Sequence, residues 1–189
     1  MIPESLQTRR SFYQLNKDLP LSQDQVIYLL EDLLELVPDA FNMKSSKVLL
    51  AFGQSHDQVW DQVYTSFNGK VARDKIDSFK AGAGTILYFI DQDIVDQMKK
   101  DYPVYAHNMD DWAQQASGML QINVWTALAE LGVGANIQHY NPLIDRDIKK
   151  LFQVPDSYKL VAQMPFGGIE EDPPAKEKDY PFNRIQIFY

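Results

Sequence analysis

The chain has 189 residues, of which 45% are hydrophobic and 23% charged, as in an ordinary globular domain with a substantial core. Its net charge of −8 argues against nucleic acid as a main partner, because binding to a phosphate backbone requires a positive surface. No apolar run approaches the roughly 18–20 residues that cross a membrane, and the N-terminus lacks the apolar core of a signal peptide. The chain contains no cysteine, which excludes disulfides, iron–sulfur clusters and cysteine nucleophiles. These features predict a cytoplasmic protein in which any redox function would require an organic cofactor.

Two cations and a hydroxyl follow one another at the end of the first predicted helix, Glu4–Arg10. Arg9 and Arg10 can be interpreted as cations that stabilise the negative end of a helix dipole. Together with the hydroxyl of Ser11 they also suit an anion site. Taken alone, the pair favours the first interpretation.

Hydrophobic periodicity and turn residues predict the remaining elements. Helix Leu21–Val37 should begin with a capping box, because Ser22 is followed three residues later by Gln25. Helix Asp111–Leu131 is apolar nearly all round, so it is either the central core helix of a monomer or part of a subunit interface. The others are, in order, loop Asp39–Ser46, strand Lys47–Gly53, helix Ser55–Phe67, helix or loop Gly69–Ala83, strand Gly84–Ile90, helix Asp91–Met98 capped by Asp91, loop Lys99–Asn108, helix Asn141–Phe152, strand Lys159–Pro165, extended arm Phe166–Pro181 and terminal strand Arg184–Tyr189.

The stretch Leu131–Pro142, LGVGANIQHYNP, follows the long apolar helix. Gly132 and Gly134 end the helix, and Gly132 is predicted as its C-terminal cap. The order is helix then glycines, and Ile137 occupies the third glycine position, so this is not a dinucleotide-binding fingerprint. We expect a helix cap whose turn also presents backbone N–H groups to a flat polar ligand.

Several short motifs occur in one order and spacing along essentially the whole chain. They are Arg9–Ser11, Pro38–Ser46, Gly82–Thr85, Ser117–Gln121, Val124–Leu128, Gly132–Pro142 and Lys176–Lys178. In this arrangement the chain resembles the FMN-dependent nitroreductase family, and within it the fatty-acid-repression-mutant-like subgroup. The resemblance implies a single FMN-binding α+β domain over residues 1–189, an α-β-α sandwich with a mainly antiparallel central sheet. It also implies an intertwined homodimer with FMN at the interface and exchange of the C-terminal strand.

The resemblance also assigns cofactor contacts. Arg9, Arg10 and Ser11 resemble the residues that hold the FMN phosphate and the pyrimidine edge of the ring, and Lys176 and Lys178 resemble the basic pair on the same phosphate. The family commonly has Arg where Lys178 stands, serines where Asp39 and Ala40 stand, and Gln where Lys44 stands. The loop that reaches the flavin of the other subunit corresponds to Pro38, Asp39, Ala40, Asn42 and Lys44. The segment beneath the ring corresponds to Ile137, Gln138 and His139, and the backbone N–H of Gln138 is expected to face flavin N5.

The activity implied by the resemblance is NADH- or NADPH-dependent reduction of nitroaromatic or quinone-type acceptors, by a ping-pong mechanism through flavin N5. An alternative is a regulatory or stress-response FMN protein, in lipid or redox signalling, whose reductase activity is incidental. A third possibility is a metal- or nucleotide-binding module without flavin. A metal site is disfavoured because His56, His107 and His139 are far apart in sequence and lack ligand spacing.

Overall fold

One antiparallel sheet organises the chain, of which the computed structural model describes residues 3–175 and 184–189. The strands are β1 (Leu15–Asn16), β2 (Ser46–Phe52), β3 (Gly84–Asp91), β4 (Gly134–Ala135) and β5 (Tyr158–Ile169). The α-helices are α1 (Glu4–Thr8), α2 (Gln23–Leu36), α3 (Gly53–Ser66), α4 (Arg73–Lys80), α5 (Gln92–Asp101), α6 (Met109–Glu130) and α7 (Asp145–Phe152), with 3-10 turns at Ala40–Asn42 and Pro103–Asn108. The strand order is β1-β5-β3-β2, and β4 pairs with β5 beside this path. The outer side of β2 therefore has no neighbouring strand in the described part of the chain.

Helices cover both faces of the sheet, because β3 and its neighbours are apolar on both sides. Ile86 and Tyr88 of β3 pack with α2 and α6. Leu87 and Phe89, which alternate with them along the strand, pack with α3, α4 and α7. A smaller cluster joins the end of β3 to α5 and the start of α6. This three-layer arrangement confirms the predicted α+β fold with an α-β-α sandwich and an antiparallel sheet.

Local sequence signals determine where several of these helices begin or end. The side chain of Ser22 accepts a hydrogen bond from the N–H of Gln25, and the side-chain oxygen of Gln25 accepts one from the N–H of Ser22, so the predicted capping box is present. Asp91 caps α5 by accepting from the N–H of Asp93 at 3.3 Å, as predicted. After α6 the chain turns at Gly132, whose φ of +74° is strained for residues with a side chain. The predicted cap at Gly132 is confirmed.

Other boundaries differ from the sequence predictions. The first helix ends at Thr8 rather than Arg10, and the helix expected from Asn141 begins only at Asp145. The segment 69–83 contains helix α4, and the predicted loop 99–108 contains the end of α5 and a 3-10 turn. Strand β5, predicted as Lys159–Pro165, continues through Phe166 to Ile169, so the predicted start of the extended arm at Phe166 is wrong.

The expected terminal strand Arg184–Tyr189 is not paired with any strand of the described residues. Its apolar side chains are exposed, with Phe188 88% and Ile187 65% accessible. No described helix has the length and apolar character to traverse a bilayer. The described residues also contain no cluster of His, Asp and Glu side chains that could hold a metal ion.

Candidate functional site

Arg9 and Arg10, the N-terminal basic pair, lie where the N-terminal segment meets α6 and β4. After α1 the backbone becomes extended at Arg9, and Ser11 forms a parallel bridge with Ala135. The guanidinium of Arg9 lies over the ring of Trp125, with 4.1 Å from its central carbon to the ring centroid. Arg10 donates from Nη2 to the carbonyl oxygen of Pro174 at 2.7 Å. Two segments that are 164 residues apart in sequence are thereby joined beside the two cations.

Arg9 is a cation without a compensating charge among the described residues. It is partly buried, and its Nε is enclosed without a hydrogen-bond acceptor. The ion pairs of the described residues do not include it. Burial, and next the charge of Arg10, lower the pKa of Arg9 from its usual value. An anion bound here would relieve both effects, so these residues fit the phosphate of a cofactor such as FMN.

The segment after Gly132 runs beside β5 and is held by main-chain and side-chain hydrogen bonds. Gln138 and Gln163 exchange main-chain bonds of 2.7 and 2.9 Å. The side chain of Asn136 donates to the carbonyl of Phe12 at 2.7 Å and accepts from the Gln138 side chain at 2.8 Å. The fully buried Gln163 side chain accepts from the N–H of Tyr140 at 2.8 Å. These contacts fix the backbone of residues 134–140 rigidly against the sheet.

The prediction that the backbone N–H of Gln138 faces a ligand is wrong for this chain. That N–H donates to the carbonyl of Gln163, so it is not available. Successive residues of an extended segment direct their N–H groups to opposite sides. The N–H groups of Ile137 and His139 therefore point away from β5, and neither has an acceptor among the described residues. Ile137 is partly exposed and His139 exposed, so these two N–H groups are the ones available to a ligand.

The predicted cofactor loop, residues 38–44, lies between α2 and β2. Asp39 precedes a 3-10 turn and accepts from the N–H of Ser45 at 3.3 Å, while burial raises its pKa. Phe41, Asn42 and Lys44 have φ values of 54°, 52° and 56°. Left-handed backbone at three residues with side chains is costly and is typical of functional loops.

The loop packs against α6 rather than against the basic pair. A small cavity beside it is lined by Pro38, Asp39, Asn42 and Lys44 together with Ala116 and Leu120 of α6. Ala40 packs with the cluster at the start of α6. Lys44 forms an exposed ion pair with Glu35 at 3.4 Å. No hydrogen bond, ion pair or ring contact between described residues joins this loop to Arg9, Arg10 or residues 137–139.

A single chain thus brings together only part of the predicted site. Ser11 pairs with Ala135, two residues before the segment of Ile137, Gln138 and His139, whereas residues 38–44 make no such contact. Lys176 and Lys178 lie outside the described residues. Sequence reasoning missed Trp125 and Gln163. A lone amide in the apolar strand KLVAQMP was a signal for Gln163, but a tryptophan in an apolar helix gave none.

Comparisons with known proteins agree with this fold and its motifs. The family model described as "Nitroreductase family" matches residues 6–168. HBN1 and nitroreductase FRM2, both from Saccharomyces cerevisiae, are 30% and 29% identical over 188 residues, covering 98% of this chain and 95% of each relative. FRM2 represents the fatty-acid-repression-mutant subgroup, which confirms the resemblance at that level.

Solved structures extend the likeness to three dimensions. Nitroreductase CinD from Lactococcus lactis, in complex with chloramphenicol, superposes with a TM-score of 0.93 at 38% identity, covering 98% of each chain. The same enzyme in complex with 4-nitrophenol gives a TM-score of 0.92 at 38% identity and the same coverage. A match of fold, motifs and length at once is not expected between unrelated chains. The chain belongs to the nitroreductase family.

Proposed function

We propose that the protein is an FMN-dependent NAD(P)H oxidoreductase that reduces nitroaromatic or quinone-type acceptors by a ping-pong mechanism. Membership of the nitroreductase family indicates an oxidoreductase, and the family and fold suggest that flavin is its cofactor. The observation that carries the proposal is the full-length likeness to CinD, whose structures contain chloramphenicol and 4-nitrophenol. Both compounds have a nitro group on an aromatic ring.

The N-terminal cations are proposed to hold the phosphate of FMN. A phosphate monoester carries about −1.5 to −2 charges near neutral pH, whereas the protein as a whole carries −8. Binding such an anion therefore requires locally concentrated cations. Arg9 and Arg10 supply them beside Ser11, and Lys176 and Lys178 are proposed to complete the site.

The turn after α6 is proposed to support the flavin ring. The chemistry that FMN supplies when bound is hydride acceptance at N5 from NADH or NADPH and electron delivery to the second substrate. The protein contributes position and electrostatics. The outward N–H groups of Ile137 and His139 can donate to the ring edge, where fixed donors stabilise negative charge without reorganisation. No acid–base side chain is needed in this role.

A homodimer is proposed to complete the site. Among the described residues the outer edge of β2 has no neighbouring strand, and residues 184–189 expose apolar side chains without a strand partner. An open edge readily accepts a strand from another chain. The loop of Pro38, Asp39, Ala40, Asn42 and Lys44 would then serve the partner's flavin, consistent with its separation from Arg9. Sedimentation at low micromolar concentration should give roughly twice the 21.8 kDa monomer mass, and a stable flavin-loaded monomer would contradict the dimer.

The proposed activity is tested with the purified full chain. Flavin absorption bands should be visible after addition of FMN and removal of excess, and NADH or NADPH should bleach them in a stopped-flow experiment. Addition of 4-nitrophenol or a simple quinone should then restore the oxidised spectrum. Absence of bound flavin would reject the proposal in favour of a module without flavin. Bound flavin that neither nucleotide bleaches would favour the regulatory alternative.

A further inference from the structure

Trp125 contacts two parts of the candidate site at once. The face of its ring lies under the Arg9 guanidinium at 4.1 Å, within the range of a cation–π interaction. The edge of the ring donates from Nε1 to the carbonyl oxygen of Ala135 at 3.2 Å. The same carbonyl accepts from the N–H of Phe12 at 3.1 Å. The ring is therefore fixed between the segment that carries the basic pair and the turn that is proposed to support the flavin.

Arg9 depends on this ring because the described residues give it no other electrostatic partner. Arginine has a long side chain and loses considerable conformational entropy when it is fixed. Repulsion from the adjacent Arg10 further disfavours one fixed position. A ring beneath the guanidinium favours one orientation, in which the N–H groups at its edge remain free for an anion.

We propose that Trp125 is a positioning residue for the cofactor phosphate: its ring holds the Arg9 guanidinium in the orientation that binds this phosphate. The inference rests on the proposed function, because it requires FMN as the ligand. Trp125 itself does not touch the phosphate, and it acts through Arg9. A purely structural role for Trp125 makes a different prediction, since loss of packing would weaken all flavins alike.

The chain contains a second arginine on an aromatic ring, which serves as a matched control. The guanidinium of Arg73 lies 4.8 Å from the ring centroid of Tyr64. Unlike Arg9, Arg73 is paired with a carboxylate, since its Nε is 2.9 Å from Asp77. Its charge is already compensated, so removal of the Tyr64 ring should not affect any anion site.

The test compares FMN with riboflavin, which has the same ring and ribityl chain but no phosphate. Affinities of the full-length, flavin-free chain for both are measured by fluorescence titration, and the quantity of interest is the ratio of the riboflavin Kd to the FMN Kd. Arg9→Ala should lower this ratio about tenfold or more. Trp125→Leu should lower it roughly three- to tenfold while riboflavin affinity changes little. Tyr64→Leu should leave it at the wild-type value.

Trp125→Phe keeps a ring beneath the guanidinium but weakens the cation–π interaction, because indole is the better partner. Its ratio should fall between those of wild type and Trp125→Leu. If Trp125→Leu does not fold, Trp125→Phe decides: a ratio about twofold below wild type supports the inference and an unchanged ratio overturns it. Equal weakening of FMN and riboflavin by Trp125→Leu, or an unchanged ratio in Arg9→Ala, also overturns it. Failure of wild type to bind either flavin would instead reject the proposed function.

Discussion

Two buried polar networks of this fold differ in what they leave unpaired. The histidine network consists of His56, Trp60, Thr85 and the carbonyl of Lys80. Trp60 Nε1 donates to Thr85 Oγ1 at 2.9 Å, and His56 Nδ1 lies 2.8 Å from the same oxygen. His56 Nε2 lies 3.2 Å from the Lys80 carbonyl, which can only accept. His56 must therefore carry its proton on Nε2 and accept from Thr85 on Nδ1, so each donor in this network has an acceptor.

The amide network consists of Asn136, Gln138 and Gln163. The side chains of Asn136 and Gln138 bind each other, Asn136 also binds the carbonyl of Phe12, and the Gln163 side chain binds the N–H of Tyr140. It fixes a backbone segment in which the N–H groups of Ile137 and His139 have no acceptor among the described residues. The histidine network is thus closed and stabilises the packing of α3 and α4 on β3, whereas the amide network leaves donors for a ligand. The difference indicates that buried polar groups serve stability in one region and, under the proposed function, hold donors toward the cofactor in the other.

The largest effect on stability is expected from Thr85→Val. The change removes the acceptor of the Trp60 N–H and the donor to His56 Nδ1, and both groups are buried. Unsatisfied buried groups of this kind cost about 1–3 kcal/mol each, so we expect the free energy of unfolding to fall by about 3 kcal/mol. Because the histidine network leaves nothing free for a ligand, FMN affinity of the folded variant should stay at the wild-type value. Urea denaturation and flavin titration check the two results, and a loss of FMN affinity would contradict the comparison.

Gln163→Leu should combine a stability loss with a binding loss. Leucine preserves much of the side-chain volume but leaves the buried N–H of Tyr140 without its acceptor, at about 2 kcal/mol. The backbone of residues 137–139 would then be held less firmly, so FMN affinity should fall as well. The same two measurements apply, with Thr85→Val as the control for stability loss alone. A Gln163→Leu protein that is destabilised but binds FMN normally would show that the amide network is only structural.

The elements that sequence predicted correctly depend on local rules. The capping box of Ser22 and Gln25, the cap at Asp91 and the buried strand β3 each follow from residues within a few positions of one another. The two-residue strands β1 and β4 lack enough length for a periodic pattern. Strand β5 continues through Gly167, and the backbone carbonyl of Asn16 lies where a side chain at this position would begin. This glycine permits a close approach between strands, although in sequence it resembles a turn residue.

The residues of the candidate site could be predicted only where they belong to a motif of the family. The segment after Gly132 was identified, but the choice of Gln138 as donor was wrong because register decides which N–H groups face outward. That register depends on pairing with Gln163, 25 positions further along the chain. Trp125 under Arg9 is a contact across 116 positions between residues that are unremarkable separately. Long-range contacts of this kind carry no local signal.

Gln138→Ala should have a smaller effect than Gln163→Leu. It preserves the main-chain bonds with Gln163 but removes the side-chain donor to the buried oxygen of Asn136. We expect the free energy of unfolding to fall by about 1.5 kcal/mol. The register of residues 136–139 is kept, so NADH should bleach the bound flavin at close to the wild-type rate. Much slower bleaching at FMN saturation would mean that the Gln138 side chain itself acts at the ring.

The smallest effect is the pH dependence of the histidine network. Burial lowers the pKa of His56 from its ordinary value of 6.5, and the nearby charges of Lys17 and Lys80 also lower it. The hydrogen bond to the Lys80 carbonyl and the charge of Asp57 oppose this shift without cancelling it. The unfolded chain therefore takes up a proton near pH 6.5 while the folded chain does not, so stability falls as the pH decreases through this value. The contribution is below about 1 kcal/mol at pH 6, and its slope cannot exceed about 1.4 kcal/mol per pH unit for one proton.

His56→Asn removes this titration, so the free energy of unfolding should decline less between pH 7.5 and 5.5 than in wild type. Identical pH profiles for His56→Asn and wild type would show that His56 is protonated in the folded chain as readily as in the unfolded one.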